Sequence, residues 1–150
     1  MAIALREYAM DTPFAILIAD RNRNVREFLR RELAAEGYQA QTAGNAGEIA
    51  ARLSSGPSVG LVILDGDIAG ADCAAVVRTI RAMSRTLPVI VHVHGVEEAG
   101  AVLNERFTIF VKKSEDLTRL KAAVAEALHH FQTDGNAVRA FPGHAGSAGG

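Results

Sequence analysis

Four consecutive apolar residues, Leu61-Val62-Ile63-Leu64, stop at a carboxylate, Asp65, and no other stretch of the chain constrains its fold as much. Bounded by glycines, the run has no polar side to turn toward water, so it reads as a strand buried on both faces with Asp65 where the sheet meets solvent. That edge is where open α/β folds do their chemistry. A second run, Phe14-Ala15-Ile16-Leu17-Ile18-Ala19, ends at Asp20, and a third, Thr108-Ile109-Phe110-Val111, ends at Lys112-Lys113. Two acids and a lysine at three strand ends suit a phosphate and metal site.

The rest of the chain alternates such runs with segments of helical period, which favours a parallel sheet wrapped by helices. Five repeats of strand then helix are expected. The first helix is placed near Asn24, with Asn24 as cap, Glu27 reaching back three residues later, and Val25, Phe28, Leu29 and Leu33 on one face. Gly37 ends it, a short edge strand follows over Tyr38 to Thr42, and a second helix opens at Asn45 with Glu48 in the capping position. After the central strand, Asp72 caps a third helix whose Val76, Val77, Ile80 and Met83 form one stripe. Leu87 to Val93 is the fourth strand, with Pro88 at its start where no ladder bond is needed. A short fourth helix, about Val96 to Leu103, is weakened by Gly100, and Ser114 caps a fifth built on Leu117, Leu120, Val124, Leu128 and Phe131. The expected organisation is an extension over 1–13, one domain over 14–131 and a loose tail over 132–150.

A chain of 150 residues can bury a proper core as one domain. Its net charge of −1, from 16 basic and 17 acidic side chains, argues against bulk electrostatic binding to nucleic acid or a membrane. Cys73 is the only cysteine, which excludes an internal disulfide and a multi-cysteine metal site and suits a buried thiol. No apolar stretch reaches membrane-spanning length, and Arg6, Glu7 and Asp11 interrupt the N-terminal segment, so a soluble cytoplasmic protein is expected.

An aspartate can take up a phosphoryl group as a nucleophile, forming an acyl phosphate, once the repulsion between its carboxylate and the phosphoryl oxygens is neutralised. A divalent cation held by neighbouring acids, together with a lysine ammonium, supplies that neutralisation. Asp65, Asp20 and Lys113 are of the required types. Any one of them alone is by default a wet helix-capping residue; three at three strand ends make that reading weaker.

Ile16 to Asp20, Leu61 to Asp65 with Gly70-Ala71-Asp72 beyond, Leu87 to Ile90, and Phe110 to Lys113, in that order, resemble the receiver domain of two-component response regulators. The resemblance covers Phe14 to about Leu128. It implies an α/β flavodoxin-like fold, a doubly wound five-stranded parallel sheet in the order 2-1-3-4-5. It also implies that Asp65 is a phosphoacceptor served by a histidine kinase or phosphotransfer protein, with Lys113 pairing its charge. Asp20, Asp65 and the backbone carbonyl of Asp67 are the implied Mg2+ ligands. A single-domain receiver works by binding a downstream protein, with a possible homodimer through the face of the fourth helix, fifth strand and fifth helix, where Arg106, Lys112 and Arg119 are candidates.

The chain departs from that pattern. The family's second acid after the first strand, a direct metal ligand, is here Arg21, so one ligand is missing and the Mg2+ site is weak. Turned inward, Arg21 pairs with Asp65, two unit charges ~4 Å apart attracting by about 4 kcal/mol before desolvation; turned outward, it is a solvated loop residue. Val93 replaces the Thr or Ser whose hydroxyl binds the phosphoryl group, and valine donates no hydrogen bond. Phe110 holds the aromatic position often filled by Tyr and is apolar enough to stay packed inward. Ala69-Gly70 and Ser114 each stand where a Pro is usual.

Two residues nearby offer partial replacements. The Asp67 carboxylate can approach the same pocket, and His94 can bind phosphate when protonated. The blander readings are a solvent-facing acid and a packed pair of strand histidines, His92 and His94, and His129, His130 and His144 read as helix-end and tail residues. Three functions follow: a phosphorylated receiver; a pseudo-receiver, degenerate at Arg21 and Val93 and used as a constitutive interaction module; and a flavodoxin-like cofactor-binding protein. The loop from Asp20 to Asn24 lacks the glycines and hydroxyls that a phosphate cradle needs, which disfavours the third.

Overall fold

A computed structural model of the chain describes residues 15–55, 58–68, 73–95 and 106–134, with side chains as far as His129. Its elements run β1 (Ala15–Ala19), α1 (Arg23–Ala35), β2 (Ala40–Ala43), α2 (Ala46–Ser55), β3 (Val59–Asp65), α3 (Cys73–Met83), β4 (Val89–Val93), β5 (Thr108–Lys112) and α4 (Thr118–Asp134). The last of these is the fifth helix of the sequence reading, since the segment 96–105, where a fourth was expected, lies outside the described residues. All four ladders are parallel and the strand order is β2-β1-β3-β4-β5, as the sequence resemblance implied.

The central strands are apolar apart from His92 on β4 and Asp65 at the end of β3, because both of their faces are covered. Leu17, Val62, Leu64, Val89, Val91 and Val93 pack toward α2 and α3 with Ile49, Val76, Val77 and Ile80. Ile16, Ile18, Leu61, Ile63 and Ile90 pack toward α1 and α4 with Leu29, Leu33, Leu120, Val124 and Leu128. Register brings Ala19 beside Leu64 and Asp65 beside His92, so the ends of β1, β3 and β4 lie side by side.

Several local expectations are corrected. The cap of α1 is Asn22, not Asn24: the Asn22 Oδ1 accepts the amides of Asn24 and Val25 at 2.8 and 3.2 Å. Glu27 does not reach back either, because its carboxylate accepts from Arg30, a neighbour one helical turn away. Gly37 ends α1 with a φ of 100°, a conformation open to glycine at no steric cost. The edge strand is Ala40–Ala43, starting two residues later than expected. Asn45 and Glu48 do cap α2, the Asn45 Oδ1 accepting the Glu48 amide at 2.9 Å and the Glu48 carboxylate accepting the Gly44 amide at 2.7 Å. Met83, assigned to the apolar stripe, is instead 42% exposed at the end of α3. At α4 the cap is shared: the Ser114 Oγ accepts the Asp116 amide, and the Asp116 carboxylate accepts both the amide and the hydroxyl of Thr118. Asp72, Ala69, Gly70 and His144 lie outside the described residues, as do the segments 1–14 and 135–150. Among the described residues, no helix is long and apolar enough to cross a membrane.

Candidate functional site

Parallel strands present all their C-terminal ends at one edge, where Asp65 ends β3 and Asp20 and Lys113 directly follow β1 and β5. The Asp65 side chain is buried, and the Lys113 Nζ lies 2.7 Å from its Oδ1. The same ammonium lies 3.6 Å from the Asp20 Oδ2, so one lysine bridges two buried carboxylates. Lys113 is itself held by its backbone, whose N–H donates to the Val93 carbonyl at 2.6 Å and ties the end of β5 to that of β4.

The two carboxylates shift in opposite directions. Burial raises the Asp20 carboxyl above its ordinary value, and the Asp65 charge adds to that against the Asn22 amide and Lys113. Burial pushes Asp65 up too, but the Lys113 ammonium, the Asp67 amide and the Arg21 amide outweigh it and hold Asp65 below the ordinary range. The difference follows from distance: Lys113 is closer to Asp65, which also accepts two backbone N–H groups, from Asp67 at 3.0 Å and Arg21 at 3.3 Å. Asp65 is therefore the more acidic and the more firmly oriented carboxylate of the pair.

Arg21 turns its side chain outward, the second of the two positions weighed for it, and there meets a rim acid. Its backbone amide faces Asp65, while its guanidinium, about half exposed, reaches the Asp67 carboxylate at 3.4 Å. Asp67 accordingly sits at the rim and pairs outward. Val93 is buried among the core residues under α2 and α3, and Phe110 is half-buried against the same cluster. His92 is buried beside Asp65, and burial with the Lys113 charge lowers its pKa to about 4, so it is neutral. Its Nδ1 has no hydrogen-bond partner among the described residues. His94 and His129 are exposed. Of the three partner-face candidates, Lys112 and Arg119 share one surface cleft with Lys113, whereas Arg106 stands before β5, at the other end of that strand. Arg106 thus lines a different cleft from Lys112 and Arg119.

The sequence reading missed Arg26, whose guanidinium donates to the Asp20 carbonyl at 2.8 Å and fixes the loop that carries Asp20. A Cβ on Gly44 would lie 2.8 Å from the Arg26 Nη1, so glycine there leaves room for this arginine. Nothing in the spacing of Arg26 sets it apart from the other arginines of α1.

Residues 16–125 match the sequence profile of the response regulator receiver domain. The chain belongs to the response regulator receiver family. Among solved receivers it is similar to the response regulator TrrA of Thermotoga maritima, in complex with Mg2+ and beryllium fluoride, at 30% identity and a TM-score of 0.68, over 76% of this chain and 98% of that one. TrrA in complex with the histidine kinase ThkA matches at 30% identity and a TM-score of 0.64, over 77% and 98%. A response regulator receiver protein from Pseudomonas putida matches at 31% identity and a TM-score of 0.68, over 75% and 96%. No curated protein matches the chain. The receiver family is one of signalling domains of two-component systems, and this member keeps the family's fold.

Proposed function

We propose that this receiver accepts a phosphoryl group on Asp65 from a histidine kinase or phosphotransfer protein and acts by binding a downstream protein. The observation that carries the reading is the 2.7 Å pairing of Lys113 with a buried, ionised Asp65 at a strand end. In the transfer, an Asp65 carboxylate oxygen attacks phosphorus, the P–N bond of the donor phosphohistidine breaks, and its electron pair returns to the imidazole, which takes up a proton. Lys113 neutralises the charge on the phosphoryl oxygens, and the Asp67 and Arg21 amides hold the attacking carboxylate in one orientation. Asp20, Asp65 and the Asp67 carbonyl would hold Mg2+, an ion that needs only one or two carboxylates and keeps several waters. Two desolvated acids sharing one lysine fit such a cation. When bound, it would add positive charge opposite Lys113. The guanidinium of Arg21 is paired with the Asp67 carboxylate at the rim, and the Arg21 amide is what reaches Asp65.

A second reading, the phosphorylation-independent pseudo-receiver, is favoured by the buried aliphatic Val93, which offers the phosphoryl group no hydroxyl. Intact-mass measurement after incubation with acetyl phosphate and Mg2+, alongside Asp65→Ala, decides between them. A phosphoryl adduct on the native chain that is absent from the variant is the expected result. No adduct, under conditions that label an ordinary receiver, overturns the phosphoacceptor reading in favour of the constitutive module. Partner contact is expected at Lys112 and Arg119 beside the site, and a cytoplasmic location accords with a kinase donor.

A further inference from the structure

At the end of the sheet opposite Asp65, the close of α3 and the turns leading into β4 and β5 border an open cleft of about 860 Å3 lined by Arg78, Arg81, Arg85, Arg106, Thr86 and Phe107. The four arginines have different tasks. Arg81 is structural: its guanidinium donates to the carbonyls of Leu87 at 2.6 Å, Arg106 at 2.8 Å and Phe107 at 3.0 Å, and to the Thr108 hydroxyl at 3.1 Å. It thereby fixes both turns, and it lies over the Phe107 ring, 6.0 Å from the centroid. Arg78, Arg85 and Arg106 are exposed, and among the described residues none of the three is ion-paired.

Three guanidiniums lining one cleft repel one another until a counter-charge is supplied, and each presents a planar fork that matches phosphate oxygens bidentately. The cleft volume lies within the range of small-molecule sites, about 300–1,000 Å3. A charge of about three, opposed in one pocket, suits a ligand with several phosphates on one short chain. The balanced charge of the whole chain, −1, makes a general polyanion-binding surface the weaker alternative. We infer that this cleft binds a small polyphosphate, held by Arg78, Arg85 and Arg106 on walls fixed by Arg81. The site stands at the far end of β5 from Lys113, which lies about 20 Å from Phe107 at the rise of a strand, and does not depend on phosphorylation of Asp65.

Isothermal titration of the full chain in Mg2+-free buffer, with inorganic tripolyphosphate and with ATP as probes, tests the site. One-to-one binding is expected, weakened at least tenfold in the double variant Arg78→Gln/Arg106→Gln and unchanged in Arg31→Gln, a charge control on α1. Circular dichroism confirms that the double variant is folded, and Arg81 is left intact because it holds the turns. Tighter binding of ATP than of tripolyphosphate makes the nucleoside part of the ligand, and equal binding makes the phosphates sufficient; both support the inference. It is overturned if neither probe binds at millimolar concentration, if binding survives the double variant, or if only duplex DNA binds in an Arg78- and Arg106-dependent manner.

Discussion

His92 shows how a single side chain sets a property of the fold. It is buried on β4 beside Asp65, in a strand otherwise made of Val and Ile, and it is kept neutral with its pKa lowered to about 4 by burial and by the Lys113 charge. The unfolded chain binds that proton near the ordinary 6.5, so the unfolded state carries more protons between the two values. Stability is therefore full above pH 6.5 and falls as the pH drops toward 4, by about 3 kcal/mol for this one group. Asp20 works against that trend, since its raised pKa makes the folded form the tighter binder of its proton. Replacing His92 with Leu is expected to flatten the acid limb of the profile, measured as urea midpoints at successive pH values; an unchanged slope would assign the loss to other groups. The chemistry-bearing residues were legible in the sequence because each ends an apolar run. The neutrality of His92 was not, since it depends on which charges the neighbouring strands bring beside it.

Among the elements, strand and helix types were readable and their ends were not. Alternating apolar runs and helical stripes specify the order of elements, because each must bury its apolar side. The start of α1 went astray by two residues because Asn22 and Asn24 offer the same side chain at two nearby positions. Asn22 is the cap because its backbone is extended, with ψ of 116°, while Asn24 is already helical. Asn22→Ala is expected to cost about 1 kcal/mol, and Asn24→Ala close to nothing, in equilibrium denaturation. Equal losses from the two would contradict this cap. Arg21 eluded the sequence for a related reason: its amide and its side chain have different partners, and side-chain chemistry alone says nothing about where a backbone N–H points.

Over the whole molecule, the sheet divides the core into two apolar clusters on its opposite faces. Ile80 belongs to one and Leu120 to the other, both almost fully buried. Ile80→Val should cost about 0.5–1.5 kcal/mol and Leu120→Ala about 2–5 kcal/mol. Because the two share no packing neighbours across the sheet, their double variant is expected to lose the sum within about 0.5 kcal/mol. A larger discrepancy would mean that strain passes through the strands from one layer to the other. Beside the Lys113 side chain, which crosses to Asp65 and Asp20, the Lys113 amide makes a crossing of its own to the Val93 carbonyl. It is made of main-chain atoms, so it carries no rotamer, no titration and no hydroxyl to turn. In engineering terms it is a fixed rivet between two strand ends, and a Val93→Thr change would set a rotatable hydroxyl beside it.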